Sequence, residues 1–157
     1  MSTNVTEVPS SHSSLSATDG FATAWQDFLL LVGRIMIGWI YIQSGWRKLM
    51  DIPAFVQTMP RRDLPQFLGY VAPPAEFLGG VAIVLGFATR YAALLILLFT
   101  ITATLSSHRW WNFPETQQAN QHSHFFKNVT MMGGLVLLFV TAGGRFSLDR
   151  LLRRRTG

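Results

Sequence analysis

The chain has 157 residues, of which 49% are hydrophobic and only 13% charged, and it contains no cysteine. A soluble domain carries about 25% charged residues, so this shortfall points to a single-domain membrane protein, as does the mean hydropathy of +0.27. The absent cysteines exclude disulfides, thiolate nucleophiles and cysteine-held zinc or iron–sulfur sites. The net charge of +5 rests mostly on arginines at loops and termini, which reads as topology and contact with anionic lipid. It does not read as nucleic-acid binding, which would need a basic soluble face with interleaved aromatics.

Residues 1–22 are rich in Ser and Thr, with no Lys or Arg. They lack the apolar surface to fold and are expected to be a disordered tail. They also lack the basic and apolar regions of a secretory signal. The first span is expected from Trp25 to Trp46. These two residues lie 21 positions apart, about 31 Å along a helix and close to the hydrocarbon thickness, and Trp favours both interfaces. Arg47 to Asp63 is an amphipathic, Pro-broken loop. The second span is expected from Pro65 or Ala72 to Ala88, with Pro73-Pro74 starting or kinking its main helix. Phe67 to Val71 should also lie at membrane depth, because a helix starting at Pro74 is short for a crossing.

Thr89-Arg90 is expected to be a tight turn, followed by the third span, Tyr91 to Leu105. A polar loop from Ser106 to His124 holds Trp110, Trp111 and three of the four histidines. The fourth span is expected from Phe125 to Ala142. Gly143-Gly144 ends it, and Ser147 looks like the N-cap of a short basic amphipathic segment within residues 147–157. The expectation is an all-α membrane protein, an antiparallel bundle of four transmembrane helices over residues 23–146. Four spans put both termini on one side. That side carries Arg90, Arg145, Arg150, Arg153, Arg154 and Arg155, against Arg47, Lys48, Arg61, Arg62, Arg109 and Lys127 on the other. The counts are equal, so the dense Arg153–Arg155 run beside the last span decides for cytoplasmic termini.

Two charges fall within the spans. Arg34 lies in the first, about 14 Å from the Trp25 interface, and Glu76 in the second, about 18 Å from the Thr89 turn. A charge at the bilayer centre costs at least about 2.5–3.5 kcal/mol on insertion scales and normally finds a partner. The similar depths predict an Arg34–Glu76 ion pair. Arg34, Gly38, Tyr41 and Gly45 form one helical stripe, and Ala72, Glu76, Gly79 and Gly80 another. Small residues let helices approach closely. The plainer role for such a pair is to fix helix register; the functional one is a proton- or quinone-linked polar site.

Elsewhere the signals are weaker. His108, Arg109, Trp110 and Trp111 form an interfacial anchor or, in the sharper reading, the mouth of a quinone site. His122-x-His124 has metal-ligand spacing on an extended segment, but only Glu115 stands near it, and no metal is expected. Lys127 should snorkel to the head groups. Asn128 opens the fourth span as a buried amide that can link helices. Phosphate-binding loops, dinucleotide glycine motifs and a serine triad are absent from the sequence, and no catalytic residue is assigned.

Four pieces recur in order: Gly33-Arg34, Gly38, Ser44-Gly45 and Lys48; Glu76 to Gly86 with Thr89-Arg90; His108 to Asn112, Phe125 to Asn128 and Met132 to Leu135; and Gly143 to Asp149. Together they resemble the DoxX family of small bacterial membrane proteins, over about Leu31 to Asp149. The resemblance implies a four-helix protein of the bacterial inner membrane. The family is named for its similarity to a subunit of an archaeal thiosulfate:quinone oxidoreductase. Two functions are therefore expected. One is a quinone-binding subunit of a membrane redox complex, with Arg34, Glu76, His108 and Arg109 as polar contacts and another chain supplying much of the chemistry. The other is a non-enzymatic scaffold or assembly partner whose charges only hold the bundle together. Quinone is the one candidate cofactor. The expected partners are the bilayer and a soluble or membrane redox protein. A homo-oligomer stays open, and transport would require one.

Overall fold

A computed structural model describes the backbone of residues 13–155 and the side chains of residues 18–154. The helices are α1 (Ser13–Met50), α2 (Ile52–Gln57), α3 (Leu68–Leu85), α4 (Thr89–Ser107), α5 (Glu115–Thr141) and α6 (Leu148–Arg155), with 3-10 turns at Pro60–Arg62 and Trp110–Asn112. No strand occurs among the described residues. Helices α1, α3, α4 and α5 are each long and apolar enough to cross a membrane. The protein is an all-α membrane protein.

The spans are longer than their apolar runs. Helix α1 begins at Ser13, so residues 13–22, expected in the tail, are helical, while residues 1–12 lie outside the described residues. Helix α5 begins at Glu115, ten residues before the expected start, so His122 and His124 are helical rather than extended. Hydropathy cannot find this stretch, because Glu115 to His124 is wholly polar apart from Ala119. Its Glu, Gln and Ala residues are nonetheless good helix formers, and Pro114 precedes them. Pro73 and Pro74 lie inside α3 rather than at its start. They leave the Gly69 and Tyr70 carbonyls without intrahelical donors.

The turn between α3 and α4 is Gly86 to Ala88; Thr89 and Arg90 already belong to α4. Gly86 takes φ 66° and Ala88 φ 45°, both in the left-handed region that glycine tolerates best. Phe87 N–H reaches the Ala82 carbonyl at 2.9 Å and closes α3. Helix α6 docks on this turn. Asp149 donates its backbone N–H to the Gly86 carbonyl at 3.0 Å. Its carboxylate accepts from Ala88 N–H (2.7 Å), Thr89 N–H (2.9 Å) and the Thr89 hydroxyl (2.7 Å), capping α4 from a distant part of the chain. Asp27 accepts the Arg145 N–H at 2.7 Å, tying α1 to the same end.

Helices α1 and α3 pack backbone to backbone. A Cβ on Gly80 would stand 2.9 Å from the Gly38 carbonyl oxygen, and one on Gly45 would stand 2.6 Å from the Phe77 nitrogen. This is the close approach that small residues permit in lipid. Helix α4 presents Thr89, Ala93, Ile96, Thr100 and Thr104 inward, and α5 presents Leu135 and Leu138. Helices α1 and α5 meet around Ile37 and Gly134 and part towards the α1 C-terminal end, which leaves a cleft.

A polar cleft between α1, α4 and α5

The cleft has a volume of about 770 Å³ and lies at the end of the bundle opposite α6. Tyr41, Thr100 and Met131 line its deep part, and Arg61, Arg62 and Phe113 its outer rim. Glu76 reaches it from α3 and is 3% exposed. Its partner is Lys48, three residues past Gly45 on the buried stripe of α1. Lys48 Nζ also lies 5.4 Å from the ring centres of Phe55 and of Phe99, so two aromatic faces flank the ammonium.

Hydrogen bonds fix the remaining walls. Thr100 donates its hydroxyl to the Ile96 carbonyl at 2.7 Å, so its 2.8 Å contact with the Tyr41 hydroxyl has Tyr41 as donor. Thr104 likewise donates to the Thr100 carbonyl at 2.6 Å and accepts from Asn128 Nδ2 at 2.9 Å. His108 Nδ1 donates to Gln121 Oε1 at 2.8 Å, and its ring stacks on His124 at 5.2 Å. Arg47, Lys48, Arg61, Arg62 and Lys127 line the cleft against one carboxylate, Glu76, which makes it electropositive. Arg62, at the rim, is pushed below the usual arginine value by burial but stays charged.

The expected Arg34–Glu76 pair does not form. Arg34 lies at the α6 end, 1% exposed, and donates Nη2–H to the Phe146 carbonyl at 2.5 Å. Its Nε and Nη1 have no hydrogen-bond partner among the described residues, while Asp149 supplies an attractive charge. Nη1 occupies the space a side chain at position 86 would need, so Gly86 is required twice, by its φ and by this contact. The depth estimate failed because Trp25 and Thr89 are not level. Gly86 faces Arg34 while Phe77 faces Gly45, and α1 runs on beyond the α3–α4 turn. Arg34 and Gly45 are eleven residues apart, about 16 Å along the helix.

Of the other expected residues, Tyr41, Glu76, Asn128 and His108 line the cleft. Arg109 instead pairs with the exposed Asp63 at 2.9 Å. Trp110 and Trp111 pack on His122 (5.2 Å) and Phe125 (5.9 Å) at the bundle rim, away from the cleft. Lys48 and His124 stand out in the sequence for other reasons, the family resemblance and the His122-x-His124 spacing, and Gln121 was not anticipated. The signal for Lys48 was its position, continuing the Arg34–Gly38–Tyr41–Gly45 stripe by one more turn.

A family model described as DoxX matches residues 29–109, from within α1 to the end of α4. The chain is 35% identical to inner membrane protein YqjF of Escherichia coli (strain K12) over 130 residues, 83% of this chain and 96% of that protein. The chain belongs to the DoxX family. Inner membrane protein YphA of the same organism is 33% identical over 78% of this chain and 89% of its own length. Putative oxidoreductase CatD of Bacillus subtilis (strain 168) is 32% identical over 48% of this chain and 57% of its own. A SURF4 family model matches residues 76–154, so the likeness runs from Glu76 through α6. No solved structure matches. Family and fold together make this a multi-pass inner-membrane protein.

Proposed function

We propose that the cleft holds a quinone head group and that the protein is the membrane subunit of a redox complex. The observation that carries this reading is the pairing of Lys48 with the buried Glu76 of the second span, within a roomy polar cleft. An ionisable residue such as Glu76 that lies within a span and faces a cavity marks a functional site by default. Quinone carbonyls are acceptors, and Lys48 and Asn128 line the cleft with N–H groups to spare beyond their bonds to Glu76 and Thr104. Reduction to quinol takes two electrons and two protons. The electrons come from a redox centre on a partner protein; Glu76, with the rim histidines His108 and His124, passes protons to the two oxygens. The name of the Bacillus subtilis relative, putative oxidoreductase CatD, fits this class of chemistry.

The test is to purify the protein in mild detergent, identify bound small molecules by mass spectrometry and assay quinone-coupled turnover in membranes. Wild type should retain quinone. Glu76→Gln should stay folded and lose about a hundredfold in turnover, the usual worth of a positioned proton donor. Protein that carries no quinone, or a Gln variant with full turnover, overturns the reading. The second reading, a non-enzymatic scaffold, draws on Tyr41–Thr100 and Asn128–Thr104, which satisfy one another across helices without a ligand.

We also infer that both termini face the cytoplasm, since basic residues crowd the short α6 next to the last span. The cleft then opens at the outer face of the inner membrane, where its redox partner would dock.

A further inference from the structure

A second cavity, about 270 Å³ and almost wholly apolar, lies between α3 and α4 on the outside of the bundle. Leu68, Val71 and Ala75 form one wall, and Leu95, Leu98 and Thr102 the other. Val71, Leu95 and Leu98 are more than half exposed, at 55%, 51% and 57%, so in the bilayer this groove faces acyl chains.

The groove and the polar cleft share Lys48, Arg62, Phe99, Ala103 and Ser106 in their linings. They are therefore two rooms with one partition. The partition is made of two cations over two rings: Lys48 between Phe55 and Phe99, and Arg62 at 5.3 Å from Phe55. Such long cationic side chains keep their heads on the polar side and lay apolar stems along the other. Small displacements of side chains, not of helices, would join the two spaces.

We propose that the ligand is a long-tailed membrane amphiphile whose tail lies in the α3–α4 groove while its head group passes the Lys48–Phe99 partition into the cleft. This rests on the quinone reading and narrows it to isoprenoid-type quinones dissolved in the bilayer, as against water-soluble ones. The occupant follows from continuity. An apolar groove that ends on the ammonium paired with Glu76 suits a molecule with one polar end. Its volume holds a chain of on the order of ten carbons, taking roughly 30 Å³ for each water-sized group. Electropositive residues at the cleft rim hold anions and head groups at the aqueous end, so the lipid-facing side is the access route.

The experiment is photo-crosslinking in phosphatidylcholine nanodiscs, with a decyl-tailed benzoquinone that carries a diazirine near the tail end and a tail-less benzoquinone as competitor. Labels should fall on Leu68–Ala75 and Leu95–Thr102 and should be suppressed by the competitor. Thr102→Phe, at an exposed position, and Ala75→Phe on the facing wall should each lower this labelling about tenfold, equivalent to losing the burial of roughly two methylenes. Labels that the competitor suppresses but that map to α1 and α5 overturn the groove while leaving the quinone reading in place. Labels that the competitor does not touch overturn both. Full labelling in the folded Thr102→Phe variant overturns the groove.

Discussion

Lys48 and Glu76 are balanced as a pair and costly apart. Glu76 is buried, so Lys48→Met leaves a carboxylate in a low-dielectric site without its counter-charge. The expected loss is about 3–5 kcal/mol, read as a lowered thermal midpoint in detergent. Lys48→Met with Glu76→Leu should recover most of it, because two apolar side chains replace both charges. A Lys48→Met variant with the wild-type midpoint would show that the pair contributes nothing. Asp149 gives a pH-dependent prediction at the other end of the molecule. Burial by itself would raise its carboxyl, but hydrogen bonds from the Thr89 N–H, the Thr89 hydroxyl and the Ala88 N–H, with Arg153 nearby, hold it below the ordinary 3.8. Because the folded value is depressed, the stabilisation is complete above the unfolded value and disappears as pH falls through the folded one. The protein should therefore lose stability below about pH 4. Asp149→Asn should flatten that acid limb and cost about 1–2 kcal/mol at neutral pH, as for loss of a helix cap. A wild-type-like acid profile in the variant would assign the acid limb to other groups.

At the level of helices, register decides which charges meet. The glycines on α1 and α3 fix that register by contact, with Gly38 on Gly80 and Gly45 on Phe77. Gly45→Leu has no room, since its first carbon would meet the Phe77 backbone. It should cost about 1–3 kcal/mol or more and separate Lys48 from Glu76. Gly133→Leu makes a control, because no atom lies within 4 Å of a Cβ there, and it should leave the thermal midpoint unchanged. Loss of equal size in both variants would point to a general effect on helix insertion. The stripe of small residues was readable in the sequence, and so was its continuation to Lys48. The level of one helix against the other was not, because interfacial Trp and turn residues mark depth only where helices end together.

For the whole molecule, four crossings put the α6 end and the cleft on opposite faces. The chain has no cysteine, so a single introduced one reports sidedness. Thr116→Cys lies at the exposed start of α5, at the cleft end. With cytoplasmic termini it should react with an impermeant maleimide in intact spheroplasts, and Arg150→Cys on α6 should react only after lysis. The reverse pattern would invert the topology and place the cleft on the cytoplasmic side.

Composition, hydropathy and the order of short motifs determined by themselves that this is a four-span, all-helical membrane protein of the DoxX family. Those properties are local, because a segment that buries its own backbone in lipid needs only length and apolarity. They also singled out Arg34, Tyr41 and Glu76, which interrupt apolar stretches and are buried, and Asn128, which opens the fourth span and is half-buried. Tertiary structure alone decided how they are shared. Arg34 went to the α6 end under Gly86, Glu76 to Lys48, and Tyr41 and Asn128 to threonines of α4. Partner choice depends on the axial offset between helices, and that offset is set by close glycine contacts and by how far each helix overruns its neighbour.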